Sequence, residues 1–362
     1  MRIVVNDIAA TGGASLTVLE SFHRYVREFD ARNDWVFLLG SEHLLEESTR
    51  ISTIALPWVK RNWLRRLWFD LVSGRRLIRA LKPDVLFSLQ NTYTHGIGCP
   101  QVIYVHQSLP FQRVVWFSFW RRDERLLAIY QRFIGLVIKR SIRSAEHVVV
   151  QTRWMRDAIV DQVGIAGDRI EWIHPDLDDL SIYESAEEYD PRAFFYPSTD
   201  HLYKNNGCAY QACRLLREQG VSDFRVTITT KTISSEPNVL SIGPIARGRA
   251  LEILSRSTLV YPSLFESYGL PLAEARALDV LVLAADCPYA REVLEGYANA
   301  YYFDPASPIQ LAALMRRVIS GGIKRAPSPR SGDGSCRETR VVAWARVVDI
   351  LEGHGRRGLP EF

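Results

Sequence analysis

The stretch LVYPSLFESYGLPLAEARALDVLVLA, Leu259 to Ala284, runs from one continuous apolar segment, through a loop and a short helical pattern, into a second apolar segment. Continuous rather than alternating apolar runs belong to strands buried on both faces, so this spacing predicts a strand, helix and strand of a parallel sheet. Pro271 suits the first turn of a helix, where its missing N–H leaves no bond unmade. The pattern therefore predicts a helix from Pro271 to about Leu278, with Gly269 and Leu270 as the turn before it. Two carboxylates flank that turn, Glu266 in the loop and Glu274 about one turn into the helix. Ligands of open α/β sheets bind at the carboxyl ends of strands, and a helix N-terminus behind a glycine turn favours an anion such as phosphate. Both acids are placed to meet one ligand with its phosphate between them. Either acid alone reads more simply, as a partner of the helix dipole or as a solvated loop residue.

The same rhythm extends outward in both directions. Arg2–Val5, Trp35–Leu39, Val85–Leu89, Val102–Val105 and Val148–Val150 are apolar, β-branched runs with helical patterns between them, the signature of a first doubly wound α/β lobe. After the acidic stretch Asp176–Pro191 the rhythm restarts at Phe194–Ser198, Val226–Ile228, Leu259–Ser263, Val280–Ala284 and Ala300–Phe303. Gly321–Cys336 is loop-like, rich in Gly, Pro and Ser, and an amphipathic helix over about Glu338–Leu351 follows it. The expected domains are 1–180, 181–325, and a linker with a C-terminal helix over 326–362. A chain of 362 residues is long enough for two lobes, and 47% hydrophobic with 24% charged residues excludes disorder, collagen and coiled coil. No apolar run approaches the ~18 residues of a membrane span. The start MRIVVND enters a strand without a secretory pattern, which reads as cytosolic. Five cysteines without paired or Cys/His spacing point to reduced thiols rather than disulfides or zinc.

Glu266-SYGLPLA-Glu274 resembles the E-x7-E donor motif of the retaining family 4 glycosyltransferases of the GT-B fold. The order around it is similar too: SIGPI at Ser241–Ile245, LVYPS, the motif, VLVLAADCPYAREV at Val280–Val293, then AYYFDP at Ala300–Pro305. The resemblance implies two Rossmann-like lobes facing across a cleft, with acceptor bound mainly by the first and nucleotide sugar by the second. It implies a retaining hexosyl transfer to a glycan or lipid-linked acceptor in cell-surface polysaccharide synthesis. Carried over residue by residue, Glu266 lies beside the donor sugar, Glu274 holds the ribose hydroxyls, and backbone N–H groups near Gly269 and Leu270 reach the sugar or diphosphate.

YPSTDHLYKNNG, Tyr196–Gly207, resembles the family's other phosphate segment, with Lys204 as the cation facing the departing diphosphate. Where the family often has an arginine, this chain has Thr199, and Lys231 or His201 is the local candidate to compensate. TGGAS, Thr11–Ser15, lacks the dinucleotide fingerprint and reads either as a tight strand-to-helix turn or as the family's glycine loop, in which Gly12 and Gly13 allow close backbone approach to the donor. His106, at the end of a buried strand, matches the family histidine that contacts the donor sugar. With no DxD-like acidic motif, neither a metal nor any other cofactor is expected.

Charge is uneven. From Pro57 to Glu146 sixteen Lys and Arg face five Asp and Glu, interleaved with aromatics in KRNWLRRLWF (Lys60–Phe69) and FQRVVWFSFWRRDER (Phe111–Arg125). This combination fits peripheral contact with anionic lipid at the inner leaflet, and equally a helix packed by its aromatics with a solvated basic face. No nucleic-acid-binding module is recognisable. Two rival functions remain open: a nucleotide-sugar-binding partner with little catalysis, suggested by Thr199, and a nucleotide-sugar epimerase of similar fold.

Overall fold

The computed structural model of the chain describes residues 1–10, 13–42, 45–61, 65, 68–183, 189–326 and 342–357. The chain divides into two compact units: Met1–Phe111 with Ile129–Asp176 and Glu338–Phe362, and Gln112–Ala128 with Leu177–Arg337.

Unit 1 holds β1 (Arg2–Asp7), β2 (Asp34–Leu39), β3 (Ile51–Ala55), β4 (Val85–Ser88), β5 (Gln101–Val105), β6 (His147–Val150) and β7 (Ile170–Trp172). They pair in parallel in the order β3-β2-β1-β4-β5-β6-β7. Alternate residues of each strand supply opposite layers. Ile3, Val5, Phe87 and Tyr104 pack with Phe22 and Val26 of the helix Gly13–Phe29 on one side. Val4, Leu38 and Leu86 pack with Ile78 on the other, and Ile103, Val105 and Val148 pack with Ile138 and Ile159. Two covered faces explain why the strands read as continuous apolar runs.

Unit 2 holds β8 (Ala193–Tyr196), β9 (Arg225–Ile228), β10 (Val239–Ser241), β11 (Thr258–Tyr261), β12 (Val282–Ala285) and β13 (Ala300–Phe303). They form a second parallel sheet, ordered β10-β9-β8-β11-β12-β13. In each sheet the order reverses once, between β1 and β4 and between β8 and β11. Those are the switch points at which open α/β sheets leave a crevice for ligands.

The expected α/β architecture is present in both units, with three strands beyond those read from the sequence. These are β3, β7 and β10, all at sheet edges and partly exposed, so their composition is mixed. The helix Val342–Arg357 belongs to unit 1, where Trp344, Val347, Val348 and Leu351 complete the layer around Phe22. Trp344 Nε1 donates to Ser21 Oγ at 2.9 Å, and Asn33 Nδ2 to Glu352 Oε1 at 2.9 Å. Residues 112–128 lie within the first α/β run of the sequence yet group with unit 2, where the buried Phe117 ring meets Phe265 edge-on at 6.4 Å. Among the described residues no helix is long and apolar enough to cross a membrane.

Candidate functional site

The loops that follow β8 and β11 sit at the switch point of the unit 2 sheet. After β11 the chain turns at Gly269, whose φ of +89° is left-handed, into the helix Leu270–Ala277. A side chain there meets both strain and contact, since an added Cβ lies 3.3 Å from Leu272 Cδ1 and from the Tyr289 ring. Leu270 is the first helical residue rather than part of the turn, one position ahead of the expected start at Pro271.

Glu266 occupies the loop. Its Oε1 accepts from Lys204 Nζ at 2.6 Å, Ser263 Oγ at 2.6 Å and Tyr261 OH at 3.2 Å. Its Oε2 has no protein partner among the described residues. Lys204 ends the 3₁₀ turn Leu202–Lys204 after β8, and Asn205 follows in the left-handed region. Asn205 Nδ2 donates to the carbonyls of Pro262 at 3.2 Å and Pro305 at 2.9 Å, which ties the lysine loop to the loops after β11 and β13. Beneath this lie Tyr196, Tyr261 and Tyr289, fully buried and stacked edge to face. Tyr196 OH donates to the Lys204 carbonyl, and Tyr289 OH to the Ser263 carbonyl at 2.6 Å. Burial holds all three phenols well above their ordinary pKa, so they remain neutral donors, Tyr196 and Tyr289 to the loop backbone and Tyr261 to Glu266.

Glu274 forms a separate pair. Its side chain is 9% exposed, and Oε1 accepts from Arg247 Nε at 2.8 Å. Arg247 opens the helix Arg247–Ser255 and also binds Asp178. Desolvation raises the Glu274 pKa, and the Arg247 charge opposes that rise. The candidate ribose anchor is thus a buried acid paired with a guanidinium that favours its charged form. Thr199 contributes its carbonyl, which accepts from Asn206 Nδ2 at 2.8 Å, while Lys231 and His201 are exposed. The second cation near the acids is Arg247. Sequence reasoning missed it, although ARGRA directly after SIGPI, at a helix start, is a legible signal.

In unit 1 the corresponding edge is polar. His106 follows β5, with burial lowering its pKa to about 4. Asn91, past β4, holds the backbone N–H groups of His106 and Gln107 on its Oδ1 at 2.8 and 3.2 Å. Asn6 and Gln90 are buried at the same edge, and their amide atoms have no partners among the described residues. These amides also went unread in the sequence, where lone Asn and Gln carry no pattern. Gly13 opens the helix after β1, and Gly12 lies outside the described residues. Among the described residues no group of three His, Cys, Asp or Glu side chains is arranged to hold a metal ion.

The family model for Glycosyltransferase Family 4 matches residues 13–179, and that for Glycosyl transferases group 1 matches residues 231–328. The chain is 23% identical over 213 residues to the O-antigen chain mannosyltransferase RfbU of Salmonella typhimurium, a match that spans 57% of each chain. Among solved structures it resembles WaaG, a glycosyltransferase involved in lipopolysaccharide biosynthesis, with TM-score 0.68, 13% identity and coverage of 98% of this chain and 100% of that one. It also resembles Anabaena Alr3699/HepE solved with UDP-glucose, with TM-score 0.62, 13% identity and coverage of 99% and 98%. A UDP-GlcNAc 2-epimerase from Methanocaldococcus jannaschii is a weaker likeness, with TM-score 0.52 and 10% identity over 97% of this chain and 99% of that one. Two glycosyltransferase models match consecutive parts of the chain, and its two parallel sheets give it the GT-B fold of these solved structures.

Proposed function

We propose that the protein transfers a hexose-type sugar from a nucleotide-diphosphate donor to a glycan or lipid-linked acceptor in cell-surface polysaccharide assembly, with retention of configuration and without a metal. The donor is taken by unit 2 and the acceptor by unit 1. The carrying observation is the pair of carboxylate–cation couples at the unit 2 switch point, Glu266 with Lys204 and Glu274 with Arg247. Glu274 offers Oε2 to the vicinal hydroxyls of the ribose, and Glu266 offers Oε2 beside the sugar. Donor binding frees Lys204 to face the diphosphate, whose negative charge grows as the glycosidic bond breaks. The helix N-terminus at Gly269 adds its N–H groups to the same anion.

Peripheral contact with an anionic membrane belongs to this reading. The helical run Arg125–Ser144 buries Ala128, Gln131, Gly135, Ile138, Ser141 and Ile142, yet it also exposes Leu126, Phe133, Leu136 and Val137 among Arg122, Arg132 and Arg140. Apolar side chains outward among arginines suit a lipid headgroup region.

The test is incubation with a panel of nucleotide sugars, following nucleotide release. Slow donor hydrolysis, quickened by an acceptor glycan, supports the transferase. Isomerised donor identifies an epimerase, and binding without turnover a donor-binding partner. Activity abolished by EDTA and restored by a divalent ion overturns the metal-free mechanism.

A further inference from the structure

We propose that Asn91 is a positioning residue that fixes the imidazole proton of His106 on Nδ1, so that the ring presents an N–H donor to an oxygen of the bound sugar. This rests on the reading of His106 as a substrate-facing residue.

The geometry leaves little choice of hydrogen positions. Asn91 stands in the left-handed region with φ of +64°, a conformation that Asn tolerates better than most residues. There its side chain reaches the end of β5, and Oδ1 receives the backbone N–H groups of His106 at 2.8 Å and Gln107 at 3.2 Å. A backbone N–H can only donate, so two of them fix which end of the amide is oxygen. The Asn91 nitrogen must then be the atom 3.4 Å from His106 Nε2. An amide NH₂ can only donate, which makes Nε2 the acceptor and leaves the proton of the neutral ring on Nδ1. Nδ1 is buried and has no partner among the described residues. The lowered pKa, about 4, keeps the ring neutral near pH 7, with one donor and one acceptor nitrogen. The amides of Asn6 and Gln90, buried and unpartnered at the same sheet edge, match a ligand rich in hydroxyls, each able to donate and accept.

The proton position is read directly from imidazole ¹⁵N shifts of histidine-labelled protein, with His106→Gln used for assignment. The free wild-type protein is expected to show the Nδ1–H tautomer at pH 7. Asn91→Asp keeps an oxygen for both backbone N–H groups and tolerates the left-handed backbone, but it places an acceptor opposite Nε2. The proton then moves to Nε2, or both nitrogens become protonated. In turnover, Asn91→Asp is expected to lower kcat/KM by about tenfold or more, the scale of one hydrogen bond to the reacting sugar. The double variant with His106→Gln should lose no more than His106→Gln alone, because Asn91 acts through the ring. An Nε2–H tautomer in the wild type, an unchanged ring in Asn91→Asp, or additive losses would each overturn the proposal. The tautomer measurement needs no substrate. Failure to turn over any nucleotide sugar would therefore count against the transferase reading alone, whereas a wrong tautomer counts against Asn91.

Discussion

Glu266 and Glu274 share a motif, but their surroundings differ, and so do the roles proposed for them. Glu266 has one oxygen saturated by a lysine and two hydroxyls, so it is held rigidly and close to a cation. Glu266→Gln is expected to lower kcat more than it changes donor KM, because an acid beside the sugar acts as positive charge develops there. Glu274→Gln is expected to do the reverse, since ribose hydrogen bonds are made equally in ground and transition states. Lys204→Ala should cost on the order of 10²-fold in kcat, the scale of one preorganised charge-stabilising group. Steady-state kinetics with the preferred donor separates the three, and equal KM and kcat effects in both glutamate variants would erase the distinction. Arg247 allows a test that needs no substrate. Arg247→Gln strands a buried carboxylate, with a cost of about 2 kcal/mol once its partial exposure is discounted. Without the guanidinium the folded Glu274 pKa rises further above its unfolded value. The deficit against wild type is then smallest below the unfolded pKa, near pH 4, and grows as the pH rises through the folded one. Urea midpoints at pH 4 and pH 7 check it, and a deficit independent of pH would mean that the lost contact is packing rather than charge.

Gly269 sets where the helix Leu270–Ala277 begins, and with it where the helix N-terminal N–H groups point. Gly269→Ala forces a Cβ onto a left-handed backbone and toward Leu272 and Tyr289. The expected cost is about 1–2 kcal/mol of stability, accompanied by weaker donor binding. A melting curve and a donor titration on one sample check both. The C-terminal helix is a larger element with a larger role. Removing Val342–Arg357 uncovers the seats of Trp344, Val347, Val348 and Leu351. Fully burying such side chains contributes about 1.5–3 kcal/mol each, comparable in sum to the whole stability of a domain, so unit 1 should lose cooperative unfolding. The sequence showed this helix by its period but not its seat, because an amphipathic stripe tells that a face is buried and not against what. The central strands were legible for the opposite reason: with both faces covered, Ile3 to Val5 or Val102 to Val105 can only be apolar. Edge strands such as Ile51–Ala55 carry half that constraint. At the site, the motif acids were candidates by spacing and Lys204 by resemblance, whereas Arg247, Asn91 and the three tyrosines make contacts that join distant parts of the chain.

Over the whole molecule, the aromatic and basic residues read from the sequence sort into two kinds. Phe111 and Phe117 are core, but Trp116 is 65% and Trp120 92% exposed, and Leu126, Phe133, Leu136 and Val137 of the next helical run face outward as well. Packing therefore does not account for them, and the nearby arginines give an anionic membrane the complementary charge. Binding to vesicles should require anionic lipid and weaken as salt rises, because that attraction is screened within about 8–10 Å at physiological ionic strength. Insertion of the rings is insensitive to salt. Arg121, Arg122 and Arg125 replaced together by Ser should weaken binding most at low salt, although Arg121 already pairs with Glu124 at 2.9 Å and its share is the smallest. Trp116→Ala, Trp120→Ala and Phe133→Ser should weaken it at every salt concentration and leave the melting temperature nearly unchanged, since these side chains lie outside the core. Co-sedimentation with neutral and anionic vesicles, paired with a melting curve for each variant, decides the matter. Equal partitioning onto both vesicle types would remove the electrostatic part of the argument. A large loss of stability in the Trp variants would show that those rings have a protein partner, and the acceptor would then have to reach the enzyme away from the lipid surface.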